Sequence, residues 1–115
     1  MTRIIFYLFL EPLTVYPAGF QATGTSPTSI FLQWNATEFR DLVGYVIYYN
    51  LSDINSTGIQ NRMETYIGAC NTSVEIFNLK PLTNYSLQIA GFTRYEIGPG
   101  SQLITLQTQR QRKFP

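Results

Sequence analysis

Five of the seven asparagines in this 115-residue chain open an Asn-x-Ser/Thr triplet: Asn35-Ala36-Thr37, Asn50-Leu51-Ser52, Asn55-Ser56-Thr57, Asn71-Thr72-Ser73 and Asn84-Tyr85-Ser86. Only Asn61 and Asn78 fail the pattern. The chemistry such a triplet permits is attachment of an N-glycan at the asparagine amide. With Ser and Thr at roughly one residue in six, chance would supply about one match. The excess points to a secreted or cell-surface chain. Turns are also rich in Asn, Ser and Thr for purely local reasons, so each triplet taken alone has a structural reading as well.

Other chemistry is sparse. Histidine is absent, which removes the commonest general base and the commonest metal ligand. The acidic residues Glu11, Glu38, Asp41, Asp53, Glu64, Glu75 and Glu96 are scattered along the chain, and they read as solvated surface charge. No glycine-rich loop follows a strand and opens a helix. Cys70 is the only cysteine; it cannot form an internal disulfide or a thiolate zinc cluster and is expected as a buried or half-buried thiol. A net charge of +1 does not call for a nucleic-acid partner, which would want a basic patch. No catalytic residue, cofactor or metal is expected.

What must position the asparagines is a set of strands. The chain is 44% hydrophobic, 13% charged and 15% aromatic, a globular composition that favours strands. Ile30, Leu32 and Trp34 alternate with Phe31 and Gln33, and Tyr85, Leu87 and Ile89 alternate with Asn84, Ser86 and Gln88. That period of two marks half-buried strands. Lys80-Pro81 interrupts a strand-like run ending near Leu79, because proline lacks an amide donor and restricts its predecessor. Two strands therefore meet at a corner opened by Tyr85, whose hydroxyl needs a partner when buried; upstream backbone carbonyls are the expected one. Ser26-Pro27-Thr28 is turn chemistry.

Leu79-x-Pro81-x-Thr83-x-Tyr85 resembles the E–F corner of a fibronectin type III domain, one of the sandwich relatives in which such tyrosine corners recur. Thr28-Ser29-Ile30-Phe31-Leu32-Gln33-Trp34 resembles strand B of that family, Gly44-Tyr45-Val46-Ile47-Tyr48-Tyr49 its strand C, and Gly98-Pro99-Gly100-Ser101 the start of its strand G. The four occur in the family's order. The resemblance implies an all-β, seven-stranded, two-sheet immunoglobulin-like sandwich, with A-B-E packed on C′-C-F-G, over residues 17–108. Ile30, Leu32, Trp34, Tyr45, Ile47, Tyr49, Leu79, Pro81, Tyr85, Leu87 and Ile89 would form its core, with Val46 and Tyr48 facing outward. Asn50 to Asn61 would be a loop. Arg94 to Gly100 would be the F–G loop, where Arg94, Tyr95, Glu96 and Ile97 set a cation, an aromatic, an anion and an aliphatic side by side as a possible partner contact. Packing of Tyr95 and Ile97 onto the sandwich is the competing reading.

Residues 1–16 form an N-terminal flank and 109–115 a linker. Ile4 to Leu10 is an apolar run after Arg3, in the manner of a signal peptide, but Glu11-Pro12 ends it early and it is too short for a bilayer span of about 20 residues. The functional expectation is a non-catalytic interaction or spacer module of an extracellular adhesion or receptor-type protein, with a protein partner and neighbouring domains of the parent chain, no nucleic acid and no membrane insertion by the domain itself. Two alternatives are a module appended to an enzyme such as a receptor tyrosine phosphatase, and a small self-contained secreted binder. The chain has no Arg-Gly-Asp, the sequence by which some family members bind integrins.

Overall fold

Strands with one apolar face can be satisfied only by burying that face against another sheet, and this chain does so twice over. A computed structural model describes residues 12–51 and 62–111. Its strands are β1 (Gln21–Ser26), β2 (Ser29–Gln33), β3 (Gly44–Leu51), β4 (Met63–Gly68), β5 (Ser73–Ile76), β6 (Asn84–Phe92), β7 (Ile97–Gly100) and β8 (Ile104–Gln107). One sheet has the order β1-β2-β5; the other runs β4-β3-β6-β7, with β8 also on β6. All pairings are antiparallel. In the lettering of the sandwich these are A-B-E and C′-C-F-G.

The core lies between the sheets. Ile30, Leu32, Trp34, Tyr45, Ile47, Ile76, Leu79, Tyr85, Leu87 and Ile89 are all buried there. Pairing of Ile47 with Ile89 and of Tyr49 with Leu87 sets inward side chains opposite one another across β3 and β6. Trp34 and Tyr45 meet edge to face at 5.3 Å between ring centroids, a favourable quadrupole arrangement. Tyr49 and Pro81 are half-buried at the margin.

Several expectations are corrected. Strand G is broken in two: Ile97–Gly100 is strand β7, paired to β6, and only Thr93 to Glu96 forms the reversal. The break falls at Ser101, which is 5% exposed and substitutes its own hydroxyl for a missing carbonyl, accepting the Ile89 amide at 3.1 Å. Asn50 is no loop residue; it pairs with Ser86 inside β3. Val46 and Tyr48 do lie on the outer face but are buried, at 0% and 9% exposure, with Ala90 and under Phe92. Cys70 is exposed, because it sits in the reversal between β4 and β5 rather than in a strand. Tyr85 Oη accepts a hydrogen bond from the Lys80 amide at 2.8 Å, so the corner offers an N–H where a carbonyl was expected. Leu13, in the flank, is 3% exposed; it lies where a Cβ on Gly98 would come within 2.8 Å of it, and the missing side chain at that glycine is what lets it in. Asn55 and the run Ile4 to Leu10 lie outside the described residues.

Candidate interaction surface

The reversal between β6 and β7 is held from its base. The Thr93 amide donates to the Glu96 carbonyl at 2.9 Å, and Thr93 Oγ1 accepts from the Tyr95 and Glu96 amides at 3.1 and 3.2 Å. A threonine that caps its own turn competes well with water for those amides. Glu96 Oε2 accepts the Leu13 amide at 3.0 Å, tying the turn to the segment that enters the sandwich. Around these bonds the side chains stay accessible: Arg94 and Glu96 are exposed, Tyr95 is 75% exposed and Ile97 52%. Tyr95 does not pack onto the sandwich.

The acceptor asparagines are spread over the surface. Asn35, Asn71 and Asn84 are exposed. Asn35 follows β2, Asn71 lies in the β4–β5 reversal with its amide donating to the Gly68 carbonyl at 3.1 Å, and Asn84 opens β6. Asn50 is half-buried, and its Oδ1 accepts the Leu51 amide at 2.8 Å.

The outer face of the larger sheet carries a feature that alternation alone hid. Val46 is flanked by Tyr66 on β4 and Ala90 on β6. Tyr66 and Phe92 pack edge to face at 5.6 Å, and the Arg62 guanidinium stacks 3.8 Å over the Tyr48 ring. Tyr66 Oη donates to Glu64 at 2.7 Å, and that bond raises the Tyr66 pKa. Burial is the main cause that raises the Tyr48 pKa; Arg62 opposes it and Glu64 adds to it. The signal was present in the sequence: Tyr45 to Tyr49 has no polar residue, and an uninterrupted apolar run marks a strand covered on both faces.

Among the described residues no group of His, Cys, Asp and Glu is placed to hold a metal ion, and no helix is long and apolar enough to cross a membrane.

Comparison with known proteins bears on the whole surface. The profile described as "Fibronectin type III domain" matches residues 15–107. The human cell adhesion molecule DSCAM is 36% identical over 92% of this chain, and a Caenorhabditis elegans protein sidekick homolog is 27% identical over 89%. The chain spans only 5% and 4% of the length of those two relatives. Among solved structures, the chicken CNTN1 FN1–FN3 domains superpose with a TM-score of 0.78 at 23% identity, covering 84% of this chain and 33% of that one. The fn3 domain of human contactin 1 superposes with a TM-score of 0.74 at 16% identity, covering 90% of this chain and 91% of that one.

Proposed function

Because this chain belongs to the fibronectin type III family, we propose that it is a non-catalytic recognition module in the ectodomain of a cell-surface adhesion protein, with the turn Arg94 to Ile97 as its contact. The observation that carries the reading is the contrast at that turn between the bonded amides of Thr93, Tyr95 and Glu96 and a Tyr95 side chain that is 75% exposed. A turn whose amides are already bonded loses less backbone freedom on binding, and Tyr and Arg are the types enriched at interface hot spots. The similarity to DSCAM and sidekick proteins supports adhesion as the setting, and the acceptor triplets support an extracellular one.

Replacing Arg94 and Tyr95 together by alanine in the parent ectodomain is the test. Binding to the parent's partner is expected to fall at least tenfold with the unfolding midpoint unchanged. Unaltered binding by a folded variant overturns the assignment of the turn.

A second reading rests on the Glu96–Leu13 hydrogen bond. It sets the turn beside the incoming chain, which favours a contact with whatever precedes the module in the parent. Under that reading Arg94→Ala with Tyr95→Ala changes the angle between modules, measured by small-angle scattering, and leaves partner affinity alone.

A further inference from the structure

Alternation carries past the end of β2. Phe31 and Gln33 point away from the core, and the next outward position is Asn35, held in line by its amide, which donates to the Ala18 carbonyl at 2.8 Å. Asn35 therefore stands flush with the outer face of the smaller sheet instead of at the tip of a loop. There it borders a groove of about 380 Å³ lined by Gln21, Phe31, Gln33, Asn35, Thr72 and Ser73. That volume falls within the range of roughly 300–1,000 Å³ usual for clefts that hold small ligands. Gln21, Gln33 and Ser73 are register partners across all three strands, and Gln33 Nε2 donates to Gln21 Oε1 at 3.1 Å.

The groove has a notch beside the asparagine. Gly19 has φ 71°, a conformation that glycine adopts without steric cost. A Cβ there would stand 2.8 Å from Asn35 Nδ2, so any other residue would crowd the amide that a glycan would use.

We propose that Asn35 is glycosylated and that the first N-acetylglucosamine of its glycan lies back in this groove, over Phe31 and against the amides of Gln21 and Gln33. This deepens the extracellular reading and rests on it. The chemistry matches part by part. A pyranose has an apolar ring face, which the exposed part of the half-buried Phe31 ring can meet. Its hydroxyls and acetamide need donors and acceptors, which two glutamines, a threonine and a serine supply. None of the other described acceptors lines this groove. Because the sugar is tethered, its ordering entropy is small beside that of a free ligand, and weak contacts suffice to hold it.

The full chain is made by secretion from cells blocked in complex-glycan processing, so that its glycans stay high-mannose, and these are trimmed with endoglycosidase H to one N-acetylglucosamine. Thr37→Ala removes the acceptor triplet at Asn35 alone, while keeping the Thr37 amide that donates to Tyr45 Oη at 2.9 Å. Peptide mapping is expected to find the sugar on Asn35. The trimmed protein is expected to unfold about 4 °C above Thr37→Ala from the same cells, with no such gap between the two made unglycosylated in bacteria. Adding Phe31→Ala is expected to close the gap. A gap that survives Phe31→Ala, or no gap with Asn35 occupied, overturns the proposal, since the sugar then projects into water. An empty Asn35 with Asn71 or Asn84 occupied overturns it and leaves the extracellular reading standing; all sites empty overturns both.

Discussion

Thr108 is 2% exposed and its one hydroxyl joins the last strand to the corner before β6. It accepts the Thr83 amide at 3.0 Å and donates to the Lys80 carbonyl at 2.5 Å. Tyr85 Oη holds the amide of the same Lys80 at 2.8 Å, so both polar groups of one peptide residue are satisfied by side chains. Tyr85→Phe is expected to cost about 1 kcal/mol, and Thr108→Val about 1–3 kcal/mol because it strands a donor and an acceptor. Sharing Lys80, the two should be coupled by at least about 0.5 kcal/mol in a double-mutant cycle; strictly additive urea midpoints would mean the corner is not one network. Leu82, two residues on, sits at φ 49° and is 50% exposed. An L-residue there costs roughly 1–2 kcal/mol, whereas glycine loses about 0.5–1 kcal/mol in chain entropy. Leu82→Gly is accordingly expected to raise the urea midpoint by about 0.5–1 kcal/mol of stability, and a lower midpoint would show that the leucine side chain makes contacts that outweigh its backbone.

At the scale of strands, β2 and the β7–β8 break decide most. Trp34, just past the end of β2, is buried between the sheets against Tyr45. Trp34→Ala is expected to cost about 3–5 kcal/mol, a large part of the 5–15 kcal/mol typical of a domain. Circular dichroism melting checks it; an unchanged melt would place the indole outside the core. At the break, Ser101 gives the Ile89 amide an acceptor and donates its own amide to the Ile89 carbonyl at 2.8 Å. A strand can change register here without leaving a buried amide unpaired. The consequence is functional geometry: β7 continues the sheet to the turn, so Arg94 and Tyr95 stand on a two-strand stem and not on a seven-residue loop.

For the molecule as a whole, titration is quiet near neutrality. The chain has no histidine, and histidine is the side chain whose ordinary pKa lies between pH 5 and 8. The melting midpoint is therefore expected to be flat from pH 6 to 8. Alkali is different. Burial raises the Tyr48 pKa above its usual 10.0. Above pH 10 the unfolded chain sheds that proton first, so the folded state holds more protons and stability falls as pH rises through the folded value. Tyr48→Phe should flatten part of that fall above pH 10, followed by circular dichroism; an identical alkaline limb in both proteins would show that Tyr48 does not control it.

The sandwich itself was legible in the residues. Period-two alternation in Ile30-Leu32-Trp34 and Tyr85-Leu87-Ile89 reads out which face is buried, because strand geometry ties sequence parity to side. The proline-to-tyrosine corner was local chemistry over seven residues, and local chemistry survives in a one-dimensional reading. What the tertiary structure decided were contacts between distant segments. Leu13 meets Gly98, and Thr108 reaches back to Lys80 and Thr83, across separations that no local pattern encodes. The polarity of the Tyr85 bond depended on which backbone group the corner turned toward the ring. Whether Cys70 was covered depended on where the β4–β5 reversal fell. The groove beside Asn35 exists only because β1, β2 and β5 bring Gln21, Gln33 and Ser73 into one row, and a sequence can name those residues without saying that they are neighbours.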